Sequence, residues 1–233
     1  MALRAFAAAL LLAACSAQSA GLGASHGPMV VELFTSQGCS SCPPAEANLA
    51  AVADRPDVIA LSFGVTYWDQ LGWKDAFAQP AFTQRQWDYA HAFGQGDVYT
   101  PEIVVDGRKP GVGTGKSDFA ALIGYGASTK LAGPAIALTS DRATIAAGPR
   151  PSTPADVWLV RFDPRVIRTP VGRGENAGKT LPQRDVVRQL SRLGGWTGAA
   201  ASFRLSPPSD PAWRAAILVQ APRGGPILAA ARS

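Results

Sequence analysis

Val31-Glu32-Leu33-Phe34-Thr35-Ser36-Gln37-Gly38-Cys39-Ser40-Ser41-Cys42 is the stretch on which the reading of this chain turns. Its first residues belong to an apolar, β-prone run, Met29 to Phe34, bounded by Pro28 and by the turn residues Thr35 to Gly38, which predicts a strand. After Pro43-Pro44 the alanine-rich stretch Ala45 to Asp54 predicts a helix that stops before Arg55-Pro56. A Cys-x-x-Cys pair between strand and helix sets its first sulfur near a helix N-terminus. Free backbone N–H groups and the helix dipole favour a thiolate there. The thiolate is the attacking species, so Cys39 is the candidate nucleophile and Cys42, one turn on, the candidate resolver. Pro43 lacks only an N–H that a first helical turn does not use. Two other readings of the pair stay open. It could be an inert staple, or two thiolates for a soft metal such as copper, with His26 or His91 as third ligand. His91 sits in an apolar-faced helical pattern and reads as a surface or satisfied residue.

Asp57 to Gly64 has the pattern of a buried strand, and Pro80 to Phe93 that of a helix with Phe82, Trp87, Ala90 and Phe93 apolar. Glu102 to Asp106 predicts a third strand, and Asp106-Gly107 a hairpin turn. A short fourth strand falls around Pro110 to Thr114, and Ser117 is the expected N-cap of a helix through about Tyr125. The order is β-α-β-α-β-β-α over residues 28–130. A proline opening a central strand is disfavoured unless the Thr100–Pro101 bond is cis and lies beside the cysteines, exposing the backbone of Thr100 to an extended substrate peptide. Thr100 and Pro101 are therefore candidate substrate-binding residues. In the loop Tyr67 to Asp75, Trp68 and Asp69 read equally as a substrate rim or as packing, and Trp73 as packing. Glu32 and Glu102 lie on strands flanking the pair. Glu102, directly after Pro101, is the better candidate for a proton relay to the resolving sulfur.

The strand leading into Gly-Cys-x-x-Cys and the later Thr-Pro strand ending in Asp-Gly resemble the glutaredoxin/thioredoxin pattern. More closely, the chain resembles a bacterial family catalogued as domain of unknown function 1223. The matching segments are Val31 to Ala45, Tyr67 to Asp75, Pro80 to Gln86, Val98 to Gly107, and Arg173 to Leu181. The resemblance covers nearly everything after residue 27 and implies a thioredoxin-like domain followed by a β-rich one. Members often carry His and Asp in the strand before Tyr67, where this chain has Phe63-Gly64-Val65-Thr66.

Gly111 to Ser117 imitates a phosphate-binding loop, but the position that needs its first glycine is Pro110, so the cradle is broken. From Leu131 onward short β-like runs recur, separated by Pro, Gly and Asp. They fall at Ala135 to Thr139, Ala143 to Ala147, Asp156 to Phe162, Arg165 to Thr169, Val186 to Leu193, Ala200 to Leu205 and Arg214 to Gln220, a sandwich-like spacing. Arg173-Gly174-Glu175-Asn176 has two readings, a functional loop or a Gly-rich turn between strands, and the turn is favoured.

At the other end, Arg4 and the short apolar run Ala5 to Ala14 read as an export signal over residues 1–20, with residues 21–27 a linker. Leu12-Ala13-Ala14-Cys15 matches a lipobox, which would make Cys15 a lipidation site. Ordinary cleavage after Ala17 or Ser19 is the other reading. The 233 residues carry a net charge of +5, yet their Lys and Arg form no run, so the composition suits a solvated basic surface rather than a nucleic-acid patch.

The sequence thus predicts an α/β thioredoxin-like N-terminal domain (28–130) plus an all-β, sandwich-like C-terminal domain (131–233). The expected function is an envelope thiol–disulfide oxidoreductase, periplasmic and lipid-anchored, acting on protein thiols and disulfides with no cofactor. The alternative is a non-enzymatic module that binds copper or a partner protein through the same dithiol.

Overall fold

A computed structural model describes residues 27–233; the export signal, Cys15 and the linker up to residue 26 lie outside the described residues. The chain runs β1 (Met29–Thr35), α1 (Cys42–Val52), β2 (Val58–Gly64), α2 (Pro80–Phe93), β3 (Glu102–Val105), β4 (Lys109–Gly111) and α3 (Lys116–Thr129). It continues through β5 (Ile136–Leu138), β6 (Arg142–Ile145), β7 (Ala155–Asp163), β8 (Ile167–Pro170), β9 (Thr180–Gln183), β10 (Val186–Trp196), β11 (Ala201–Arg204), β12 (Arg214–Gln220) and β13 (Ile227–Arg232).

β1 and β2 form because their apolar runs are buried along their whole length. Side chains alternate between the two faces of β1. Val30 and Phe34 pack with Phe63, Phe82 and Tyr89 under α2, while Val31 and Leu33 pack with Leu49, Phe119 and Leu122 under α1 and α3. α1 starts at Cys42, earlier than the expected Ala45, with Pro43 and Pro44 inside its first turn. α3 is capped at Gly115 rather than Ser117 and runs on to Thr129. Asp106 and Gly107, both at positive φ (52° and 60°), make the predicted hairpin turn between β3 and β4.

The expected fold class is overturned. One mixed eight-stranded sheet, in the order β13-β12-β7-β10-β2-β1-β3-β4, crosses both halves of the chain, with three helices along it. Among the described residues there is no thioredoxin-like α/β unit beside a separate sandwich. The join is the parallel bridge of Val186 in β10 to Ser62 in β2, where the Ser62 N–H donates to the Asp185 carbonyl at 2.9 Å. The edge of β2 that a self-contained domain would leave free is taken by β10. A three-stranded sheet, β11-β6-β5, covers the far end of the large one through Ile145, Leu159, Ile217 and Val219. β8 and β9 form a separate hairpin.

A buried polar cluster ties the halves together further. Arg85 on α2 donates from Nε to Glu32 of β1 at 2.6 Å and from Nη1 to Gln220 of β12 at 3.0 Å. Tyr89 donates its hydroxyl hydrogen to the same Glu32 carboxylate. Glu32 is fully buried and Arg85 is 5% exposed.

Candidate functional site

Cys39 and Cys42 form a disulfide at the C-terminal end of β1. Cys39 lies in a turn, where its N–H donates to the Ser36 carbonyl at 3.1 Å, and Cys42 is the first residue of α1. The pair therefore sits at the helix N-terminus as expected, with Cys39 three residues ahead of the first helical turn. The Ser41 hydroxyl lies 3.3 Å from the Cys39 sulfur. A disulfide sulfur carries no proton, so the hydroxyl is the donor. After reduction the same donor would stabilise a thiolate.

The disulfide is covered, with Cys39 0% and Cys42 1% exposed. The loop joining β8 to β9 lies against the cysteine loop. Asn176, fully buried, donates from Nδ2 to the Gln37 carbonyl at 3.0 Å and the Cys39 carbonyl at 2.9 Å. Glu175 accepts from the backbone N–H and the hydroxyl of Ser40, at 2.9 and 2.7 Å, and these bonds hold its carboxyl below the usual range. Of the two readings of Arg173 to Asn176, the less favoured one, a loop with a role at the site, fits these bonds. The segment is a strap on the cysteine loop.

Gln37, which the sequence reading missed, is the hub beneath the strap. Its N–H donates to Asp75 Oδ2 at 2.8 Å, its Nε2 donates to Gln183 Oε1 at 2.9 Å, and its Oε1 accepts from Trp73 Nε1 at 2.9 Å. Asp75 Oδ1 in turn accepts the Phe77 N–H at 2.8 Å, and burial holds its carboxyl above the usual range. Trp73 packs as expected, and it packs against the strap at Gly172 and Gly174. A turn-forming Ser-Gln-Gly segment gives no local sign of such a role, because a polar turn residue more often faces water.

The remaining expected residues fall as follows. The Thr100–Pro101 bond is cis, at the same end of the sheet, since Phe34 of β1 pairs with Glu102 of β3. Trp68 links the two: its Nε1 donates to Thr100 Oγ1 at 2.7 Å, and its ring borders Gly38. Asp69 Oδ1 accepts the Asp75 N–H at 3.1 Å. Glu102 is fully buried and accepts from Gln86 Nε2 at 2.8 Å; burial raises its pKa. Glu32 is occupied by Arg85 and Tyr89.

The carboxyl that shares a space with the pair is Glu46. It follows Cys42 by four residues on α1, hence on the same helix face. Both line a small cavity with Thr35 and Gln183. Glu46 Oε1 accepts from Ser62 Oγ at 3.1 Å and Gln183 Nε2 at 3.3 Å, and burial pushes its pKa up from 4.5 to about 7. Among the described residues no group of three or more His, Cys, Asp and Glu gathers as a metal site.

The strap makes a first prediction. Asn176→Ala removes two buried hydrogen bonds to the cysteine loop and should cost about 1–3 kcal/mol of stability. Opening of the strap becomes more frequent by a similar factor, so reduction of the disulfide by dithiothreitol should accelerate about tenfold. Stopped-flow alkylation measures it; an unchanged rate would show that the strap does not control access.

A Cys-x-x-Cys disulfide at the end of a continuous mixed sheet, with a β-hairpin loop against the cysteine loop, defines the class of site. The chain belongs to the family described as Protein of unknown function (DUF1223), whose model matches residues 30–220. It is similar to the crystal structure of protein AGR_C_4864 from Agrobacterium tumefaciens, with 29% identity, a TM-score of 0.71, and coverage of 88% of this chain and 92% of that one. It shares its fold with HBP35 of Porphyromonas gingivalis at 14% identity and a TM-score of 0.61, over 91% of this chain and 76% of that one. No curated protein matches.

Proposed function

We propose that Cys39 and Cys42 are a redox-active pair and that the protein is a thiol–disulfide oxidoreductase of the bacterial envelope. The observation that carries this reading is the Cys39–Cys42 disulfide at the start of α1 with the buried Glu46 carboxyl in the adjoining cavity. In the reducing direction the Cys39 thiolate attacks a substrate disulfide, forming a mixed disulfide and releasing one substrate thiolate. Cys42 gives its proton to the Glu46 carboxylate. The Cys42 thiolate then attacks the Cys39 sulfur, closing the intramolecular disulfide and releasing the second substrate thiolate. Two electrons pass from the dithiol to the substrate, and the reverse sequence oxidises. A carboxyl with a pKa near 7 is matched to that proton transfer near neutral pH. The cavity between them, about 10 Å³, has the size of one water. Trp68 and Thr100 form the rim toward which a substrate chain would lie. Export through residues 1–20, with Cys15 as a lipid anchor, places the pair where disulfides persist.

The direct test is turnover: catalytic amounts of the full chain should accelerate glutathione exchange with a disulfide-bonded protein. An absence of turnover at strap-opening concentrations of urea would overturn the reading.

Glu46 adds a pH prediction with a definite sign. Between pH 4.5 and about 7 the folded chain holds a proton that the unfolded chain has lost, so the Glu46 contribution to stability falls as pH rises through this window. Glu46→Gln removes that loss. The variant should match the wild type near pH 4 and exceed it by up to about 3 kcal/mol near pH 8. Urea unfolding at both pH values measures the gap; a gap independent of pH contradicts the assignment. The same variant should flatten the rise of exchange rate between about pH 6 and 8.

A further inference from the structure

A cavity of about 440 Å³ opens at the other end of the sheet from the cysteines. Its rim includes Thr129 and Lys130 at the end of α3 and the segment just after Leu131, which pairs with Gly27 ahead of β1. Cys39 follows the opposite end of that seven-residue strand, about 23 Å away along the strand axis. The cavity lies where α3, the loop after β6 and β13 meet, a junction of the kind that small-molecule sites favour.

The lining has one sign of charge. Arg108, Lys130 and Arg150 border the cavity and no carboxylate does. Among the described residues none of the three is within ion-pair distance of an Asp or Glu, whereas Arg55, Arg85, Arg165, Arg184 and Arg192 all are. Arg108 makes a hydrogen bond to the Ile227 carbonyl at 3.4 Å, and the nearby Asp106 carboxyl acts on it only beyond ion-pair distance. Lys130 is held at a φ of +32°, a conformation a non-glycine residue rarely adopts. The walls between the cations are apolar: Pro134, Pro149, Pro151 and Leu228. Trp196 closes the wall, 2% exposed, and its Nε1 hydrogen is buried without an acceptor. Buried indole N–H groups usually find one.

We propose that this cavity binds a small soluble amphiphilic anion, with a carboxylate or phosphate-ester head held by Arg108, Lys130 and Arg150 and an apolar body against Pro134, Pro149 and Leu228. Convergent cations supply charge-assisted hydrogen bonds to the head. The concave, proline-walled shape takes an aliphatic or aromatic body rather than a flat surface. This site is separate from the disulfide, and its occupancy does not depend on whether the pair is redox-active.

Calorimetric titration of the full chain with octanoate, octyl phosphate and octanol tests it. Saturable one-to-one binding of an anionic probe is expected, weakened by added salt and not reproduced by octanol. The triple variant Arg108→Ala, Lys130→Ala, Arg150→Ala should bind about tenfold or more weakly. All three side chains are exposed, so the variant should keep its fold, checked by circular dichroism. A second readout needs no variant: the Trp196 indole N–H resonance should shift on titration with octanoate. The proposal is overturned if neither anion saturates, if octanol binds as well, if the triple variant keeps the wild-type affinity, or if the chain binds anionic vesicles and none of the soluble probes.

Discussion

Replacing Arg85 with Met should lower the unfolding free energy by about 3–5 kcal/mol, because it leaves the Glu32 carboxylate buried without its counter-charge. Arg85 is 5% exposed and Glu32 0%, so solvent does not screen the pair. The guanidinium also stacks 5.1 Å from the Tyr89 ring centroid and 5.7 Å from that of Trp158, and it reaches Gln220 on β12. One side chain therefore joins α2, β1 and strands from the second half of the chain. For a domain of this size the loss corresponds to a drop in Tm on the order of 10 °C. The companion variant Glu32→Leu with Arg85→Met removes both charges and should recover a large part of the loss, so the two substitutions will not add. Urea denaturation followed by circular dichroism reads both. A cost below about 1 kcal/mol for Arg85→Met would mean that the cluster does not hold the halves together.

Cys39→Ser should abolish disulfide exchange, with a loss of about a thousandfold or more, because the attacking sulfur is gone. Cys42→Ser should behave differently: Cys39 still attacks, but the mixed disulfide with substrate cannot be resolved and accumulates. The asymmetry follows from the site. Cys39 has the Ser41 hydroxyl beside its sulfur, whereas Cys42 shares its cavity with Glu46. Non-reducing electrophoresis separates the outcomes. Trapping by Cys39→Ser instead of Cys42→Ser would reverse the assigned roles.

The local elements were legible because local chemistry makes them. Apolar runs gave β1 and β2, the Asp106-Gly107 pair gave its hairpin, and Pro80 and Phe93 bounded α2 as expected. What failed was partnership. The bridge from Ser62 to Val186 joins segments far apart in sequence, and neither carries a mark of the other. β9 passed unseen because Thr180-Leu181-Pro182-Gln183 is short and contains a proline. β13 passed unseen because Ile227 to Arg232 is rich in alanine, which is no strand former.

The site divides in the same way. The cysteines, the Thr100–Pro101 strand and Trp68 were legible from motif and order, and the structure brings them to one end of the sheet. Glu46 and Gln37 were not, and for the loop of Glu175 and Asn176 the plain-turn reading outweighed the functional one. Glu46 looks like a solvent-facing residue in an alanine-rich helix, and only Gln183 from the distant hairpin and Ser62 beneath it make it a buried carboxyl. Asn176 becomes a clamp only when the hairpin folds back on the carbonyls of Gln37 and Cys39.

The most direct test of the redox-active pair is its reduction potential. The full chain is equilibrated in glutathione buffers of graded ratio, free thiols are alkylated, and the fraction with Cys39 and Cys42 reduced is counted by mass spectrometry, with Cys39→Ser as the blank. A catalytic pair should titrate between about −270 and −120 mV. A midpoint below about −300 mV, at which the glutathione buffers leave the disulfide intact, would mark Cys39–Cys42 as a structural staple and contradict the oxidoreductase reading.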